Sequence, residues 1–491
     1  MKMINKSSQK IFNNSLLFAL GTIFSKAVGF FLVPIYTYNV SDADYGVATT
    51  ITSFVSTFGI VIMLSLRAAL IRFYNEYDER EKQTFVGTIT CFVCVNAVVI
   101  CTLLCLLNKL YSPFLFKNID FYPLVFLGVL SLGAEGVYLT YQSLLQAKQD
   151  GKKYSINSII YLLIHAIAVI FFVLILHLGA LGIVLSNLVT NACFAVYGVI
   201  SMLKRGFMRL SWNLPMLSRS LKYSLPILPH NLSNNLNTYA TKVIINTFIG
   251  YVLSGLYTLA SQFSSIISLV QSSINLAFRP WFVEQMDNGE EGRSQIKYMS
   301  VMIMSIYSFA AVGVCLFSKE IVVMMAEQSY VSAWKMVPFF IIAQLISFIY
   351  YSHVQALMYN VKMSKFTMFC SLSGLAVNII VALLLVKPLN IYGILVASLV
   401  SKLAMAILTV FMSRKAEKVD LGLGKMIIYI LAATVLIGVG MIVSMQNVGI
   451  SILEISLKFV ILALSSFVFI FPYRKDFVGL IVGIIKRKPA K

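Results

Sequence analysis

The chain has 491 residues, 59% hydrophobic and only 12% charged, with a net charge of +20 and a mean hydropathy of +0.85. These values exclude a soluble globular fold and describe an all-α polytopic membrane protein. The basic excess sits in alternate short segments between apolar stretches, as membrane topology requires, and does not signal nucleic acid.

The first apolar stretch, Asn13 to Tyr38, reads NNSLLFALGTIFSKAVGFFLVPIYTY. It is longer than a signal-peptide core and lacks a small-residue cleavage site, so it is expected to stay in the chain as an anchor. Lys26 lies at its centre, about 18 Å from either end at helical rise. Its stem is too short to reach an interface comfortably. Thr22, Ser25, Lys26 and Gly29 share one helical face. Two readings stand: Lys26 pairs with a carboxylate on a neighbouring helix, or it lines a cavity for an anionic substrate.

Thirteen further stretches follow, at roughly 45–71, 84–107, 119–145, 155–177, 180–203, 222–248, 252–283, 297–317, 333–359, 364–386, 389–413, 425–445 and 451–472, making fourteen expected spans. With the N-terminus in the cytoplasm, cytoplasmic segments carry 28 Lys and Arg and the outer segments five. The remaining six, Lys26, Arg67, Lys242, Arg279, Lys402 and Lys458, fall inside spans. Both termini are therefore expected in the cytoplasm of a plasma-membrane protein.

An internal repeat runs through this series. Shifted by 209, Tyr45–Ser56 falls on Ser254–Ser265, with Gly46 on Gly255 and Phe54 on Phe263. Shifted by 211, Gly182, Ile183, Leu188 and Val189 fall on Gly393, Ile394, Leu399 and Val400. Six spans per copy is an even number, so both copies enter the membrane in one direction. The expected organisation is a six-helix lobe over 1–203, a basic linker over 204–221, a second lobe over 222–415 and two added helices with a basic tail over 416–491.

Polar groups cluster within a few spans. The seventh carries Asn231, Asn234, Asn235, Asn237 and Asn246 with His230, Thr238, Thr241 and Lys242. So many amides need partners: either neighbouring helices or sugar hydroxyls in a wet cavity. The second span offers Thr49, Thr52, Ser53 and Ser56, and the eighth Ser261, Gln262, Ser265, Ser268 and Gln271. Glu135 reads as the one clearly embedded carboxylate, too few to neutralise six cations. Arg67 and Arg279 lie near cytoplasmic ends, where snorkelling competes with a cavity role. Lys26 and Lys242 are the candidates to hold a phosphorylated or pyrophosphorylated sugar. His165, His230 and His353 are relay candidates or structural groups. The seven cysteines, including Cys91 and Cys94, lie in apolar stretches and read as small apolar residues rather than metal ligands. No catalytic motif emerges and no cofactor is called for: Gly424-Lys425 is followed by Met426, so it is no phosphate loop.

Certain runs resemble a known family. Phe24-Ser-Lys-Ala-Val-Gly-Phe30, Pro34, Asp44-Tyr45-Gly46 and Ile71-Arg72-Phe73-Tyr74 resemble Wzx-type polysaccharide flippases of the multidrug/oligosaccharidyl-lipid/polysaccharide exporter superfamily. Leu225-Pro-Ile-Leu-Pro229, Gly255-Leu256-Tyr257 and Arg279-Pro280-Trp281-Phe282 are similar to that family's second-half pattern. The resemblance implies two six-helix lobes with spans 1, 2, 7 and 8 around a central cavity, plus two extra helices. It implies alternating access that turns an undecaprenyl-pyrophosphate-linked oligosaccharide across the bilayer, with a polysaccharide polymerase and assembly proteins as partners. It is a transporter's role, not an enzyme's. The alternatives are a lipid II flippase, a cation-coupled multidrug exporter of the same superfamily, which would need carboxylates in spans 1, 2, 7 and 8, and a membrane glycosyl- or acyltransferase, which the repeat and the short loops disfavour. The substrate-binding set expected from these embedded groups and runs together is Ser25, Lys26, Arg67, Arg72, Asn231, Asn234, Thr238, Lys242 and Arg279. Ser25-Lys26-Ala27-Val28-Gly29-Phe30 is also similar to a Ser-Arg-x-x-Gly-Phe run of lipid II flippases, which carries a cavity role to Lys26. Many relatives hold an Asp-Arg pair late in span 7; Thr241-Lys242 stands here, so the base is kept and the acid lost.

Overall fold

Helix starts follow from the sequence. Ser41 caps α2 (Asp42–Met63) by accepting from the Asp44 N–H, with Asp42 and Asp44 in the first turn. Asp78 and Glu81 form a reciprocal capping box on α4 (Glu79–Leu106). The structure, a computed structural model, describes residues 30–360, 362–363, 365–446, 449, 451–474 and 476. They form eighteen α-helices and no strand among the described residues.

Besides α2 and α4, the first part contains α1 (Val33–Asn39), α3 (Leu66–Phe73), α5 (Asn108–Leu115), α6 (Phe126–Ala147), α7 (Gly151–Val169) and α8 (Gly179–Lys204). The linker contributes α9 (Leu214–Ser224), followed by α10 (Leu228–Phe248) and α11 (Tyr251–Asp287). Next come α12 (Gly289–Leu316), α13 (Ser318–Met325), α14 (Val337–Tyr359), α15 (Phe366–Leu389) and α16 (Ile391–Ala416). The last two are α17 (Leu423–Met445) and α18 (Ile452–Phe469).

Twelve helices among the described residues are long and apolar enough to cross a membrane. The first expected span lies mostly outside the described residues. The seventh, α10, is 21 residues long but is not among the twelve, because its amides lower its hydropathy.

One unit of the chain runs to Thr258 and includes Leu375–Ala397. In it, α6 packs between α4 and α8, and α2 lies against α6 and α10. Its core holds Phe54, Ile62, Phe85, Val93, Leu132 and Tyr239. The repeat is visible in its contacts. A Cβ on Gly46 would lie 2.0 Å from the Tyr251 carbonyl oxygen, and one on Gly255 would lie 2.2 Å from the Asp42 carbonyl oxygen. Asp42 and Tyr251 are themselves equivalent under the 209-residue shift. Thr49 and Thr258, equivalent again, share a hydroxyl hydrogen bond of 3.2 Å. Each repeat copy thus meets its own duplicate.

Span 2, expected as one helix over 45–71, is broken. Leu64 and Ser65 both take left-handed backbone, at φ 46° and 58°, which is costly for residues other than glycine. The carbonyls freed at the break are served by Asn96, whose Nδ2 donates to Val61 and Ile62 at 3.3 and 2.7 Å.

The second unit comprises Leu259–Gly374 and the residues from Ser398 onward. Here α12 packs against α14, α17 and α18. Its buried interior corrects the expectation of a single embedded carboxylate. Glu454 and Glu320 are also buried, beside Lys319 and Lys458. Lys458 contacts Glu320 at 2.5 Å and Glu454 at 2.8 Å, and Lys319 reaches Glu454 at 2.9 Å. Lys319 Nζ also donates to the Ser444 carbonyl at 2.8 Å. Lys319, counted above with the outer segments, and Lys458 are therefore neutralised internally. Two charges of each sign make the cluster neutral, as burial demands.

Candidate functional site

The amide-rich helix α10 owes its start to Pro229 in its first turn, where a missing N–H costs nothing. Its polar face divides in two. One part is committed to α2: Asn235 Nδ2 donates to the Ser56 carbonyl at 2.9 Å, and Asn246 Nδ2 to Thr50 Oγ1 at 2.9 Å. Asn231 Nδ2 donates to Ser65 Oγ at 3.2 Å, at the helix break. Lys242 belongs to this buried part. It is 5% exposed, and its Nζ donates to the Thr49 carbonyl at 3.0 Å. No ion pair is made by Lys242 among the described residues. Thr241 is fixed by Asn378, whose Nδ2 donates to its hydroxyl at 2.8 Å.

The other part is open. Asn234 and Thr238, one turn apart, are exposed. The face therefore presents amide and hydroxyl groups beside a buried ammonium, an arrangement able to hydrogen-bond a polar ligand and attract an anion.

The remaining candidates lie elsewhere. Arg67, just past the α2–α3 break, is exposed and donates through Nη2 to Gln146 Oε1 at 2.9 Å. Arg72 and Arg219 both bind the Glu76 carboxylate at the foot of α3. Arg279 is exposed near the end of α11, in the second unit. Ser25 and Lys26 lie outside the described residues. His353 has its Nδ1 2.9 Å from the Ile349 carbonyl of its own helix, a structural contact.

The sequence singled out Glu135, Arg67 and His165 separately, without showing that they share one cavity. Glu135 lines this cavity of about 380 Å³ among α6, α7 and α8. Glu135, Tyr138 and Gln142 follow at three and four, as do Ser158, Tyr161 and His165, while Asn187 and Asn191 are four apart. That spacing on three helices was the available signal.

The family described as polysaccharide biosynthesis protein matches residues 11–286, more than half of the chain. The chain belongs to that family. It is 22% identical over 418 residues to Lsg locus putative protein 1 of Haemophilus influenzae, covering 83% of this chain and 99% of that protein. Among solved structures, it is similar to the lipid II flippase MurJ in an inward closed conformation. The TM-score is 0.71 at 14% identity, over 94% of this chain and all of that one. The multidrug transporter DinF-BH gives a TM-score of 0.61 at 15% identity, over 84% and 97%. The Vibrio cholerae transporter VcmN, in its bent form, gives 0.54 at 12%, over 83% and 96%. At these identities the likeness is one of fold. The chain is thus a multi-pass membrane member of a polysaccharide biosynthesis family, with the fold shared by a lipid flippase and multidrug exporters.

Proposed function

We propose that the protein is a flippase of the plasma membrane with both termini in the cytoplasm. It moves an undecaprenyl-pyrophosphate-linked oligosaccharide from the inner to the outer leaflet by alternating access. The observation that carries this reading is the α10 face: Lys242 buried without an ion-pair partner among the described residues, beside the exposed Asn234 and Thr238. A pyrophosphate cannot enter a low-dielectric path without cationic partners, and sugar hydroxyls need donors and acceptors along the same path. The family and the flippase fold support the class of cargo. Arg67, Arg72, Arg279, Asn231 and Ser25 complete the proposed binding set, and Lys26 is its second principal cation. Two lysines holding one dianion would let the substrate itself favour closure.

Export of lipid-linked glycan in a strain lacking its own flippase tests this. Lys242→Met keeps the apolar stem and removes the charge. It is expected to reduce export about tenfold or more, the worth of a charge-assisted hydrogen bond, with the protein still inserted. Lys242→Arg is expected to retain part of it. For Lys26, Ala should abolish export and Glu should be worse still. Full transport by Lys26→Ala/Glu135→Ala would instead make Lys26 a structural partner of Glu135. Reporter fusions at Gly151, expected inside, and Asn390, expected outside, check the orientation.

A further inference from the structure

We propose that the cavity among α6, α7 and α8 is a sugar-binding subsite, taking one neutral, hydroxyl-bearing residue of the glycan. This rests on the flippase reading above and locates part of its specificity in a place separate from the α10 face. Together with an adjoining space of about 60 Å³ that shares Glu135, Tyr161, Asn187 and Asn191, the cavity of about 380 Å³ falls within the range of small-molecule sites, roughly 300–1,000 Å³.

Its lining has acceptors left over. The Glu135 carboxylate has neither a hydrogen bond nor an ion pair among the described residues. Gln142 is 5% exposed and spends its Nε2 on Tyr138 Oη, leaving Oε1 buried without a partner. Buried polar atoms in a native fold are otherwise nearly all paired. The neighbouring groups are already chained together: Tyr161 donates to Asn191 Oδ1 at 2.8 Å, and Asn191 Nδ2 donates to Ser131 Oγ at 3.0 Å. Among the described residues, Glu135 and Gln142 Oε1 are thus left without a donor from the lining, and a carboxylate with two oxygens can accept from two adjacent hydroxyls.

The walls suit a sugar ring as well. Tyr138 and Tyr161 stack at 4.9 Å with 8° between their planes, and Tyr36 lines the same cavity. These aromatic surfaces can cover ring C–H groups while the polar atoms take the hydroxyls. A hard metal ion would need several oxygen ligands at once. The cavity offers one carboxylate, and no cluster of three metal-ligating side chains exists among the described residues. A cationic ligand would meet the Arg67 guanidinium in the same lining, whereas a hydroxyl can both donate to Glu135 and accept from Arg67.

The test uses the full chain in nanodiscs and a panel of methyl glycosides of neutral hexoses and N-acetylhexosamines, followed by saturation-transfer NMR. At least one glycoside is expected to bind saturably, in the millimolar range. Glu135→Gln, which keeps the shape, is expected to weaken it about tenfold or more. Gln142→Leu should weaken it too, and the exposed Glu290→Gln should not. No saturable binding, or binding unchanged in both cavity variants, overturns the subsite. Lost export in Glu135→Gln with no glycoside binding to the wild type also overturns it and leaves Glu135 a charge or proton site. Glycan export is measured in parallel. Wild-type export with an unchanged sugar range in Glu135→Gln sinks the subsite but not the flippase. Glycoside binding by a chain that exports no lipid-linked glycan sinks the flippase but not the subsite.

Discussion

Asp420 shows how a single residue ties a loop to the membrane domain. Its carboxylate meets Lys297 of α12 at 2.6 Å and accepts from the Gly422 N–H at 2.8 Å. The Lys297 ammonium, then this backbone N–H, hold its carboxyl below the usual carboxylate range. A depressed folded value means that the contact contributes fully above the ordinary value of about 3.9. The contribution is lost as pH falls through the folded one. Both side chains are more than half exposed, so salt screens the pair and its effect is small. The protection of the 417–422 amides, taken against the intrinsic exchange rate at the same pH, is expected to fall on strong acidification in the wild type. In Asp420→Asn it should be low already at neutral pH. Equal protection in both proteins at neutral pH would discount the pair. At this scale the sequence was readable where a side chain carries its own signal. The amides and Lys242 of α10 announced themselves; the backbone carbonyls that Asn235 and Lys242 meet, of Ser56 and Thr49, have no sequence signature. Glu320 and Glu454 escaped notice because each lies within four residues of a lysine at a segment end, where charges ordinarily meet water.

Among the elements, the break between α2 and α3 is the least expected. Nothing in the apolar run around Leu64 and Ser65 forbids a continuous helix, and no glycine or proline marks the place. The break persists because tertiary groups sustain it: Asn96 from α4 and Asn231 from α10. Asn96→Leu would leave two carbonyls unserved at the cost of a buried unsatisfied group, about 1–3 kcal/mol each. A lower melting temperature in detergent is expected, and reduced export with it. Unchanged stability would mean that water serves those carbonyls instead. The repeat, by contrast, was legible because both copies keep the same small residues at the same places. Gly182 and Gly393 each lie against a carbonyl of the segment before their own helix, Phe172 and Leu385 respectively.

Within the second unit of the whole molecule, the buried quartet joins the added helix pair to the preceding helices. α13 supplies Lys319 and Glu320, and α18 supplies Glu454 and Lys458, each side neutral by itself. Removing one charge leaves a buried excess, so Glu454→Gln is expected to destabilise by about 3–5 kcal/mol. Replacing all four by apolar residues of similar volume should leave stability near the wild-type value or raise it. Thermal unfolding in detergent separates these outcomes. A Glu454→Gln protein as stable as the wild type would mean that water reaches the cluster. What composition could give at this scale was the class and the series of spans. It could not give the quartet, which depends on segments more than a hundred residues apart.

The glycine crossing carries a historical meaning. Gly46 lies against Gly255, and Thr49 bonds to Thr258, so residues touch their own copies. Such self-matched contacts are the mark of a symmetric dimer. Before duplication, the same contact would have joined two separate, identical chains of half the length. On that history the present linker would have fused an association that already existed. Two pieces divided after Gly206, which has positive φ and no atom near its missing Cβ, should still find each other when produced together. Co-purification of the pieces is the expected result, and Gly255→Leu in the second piece should abolish it. If the intact pieces never associate, the crossing arose after fusion and preserves no ancestral interface.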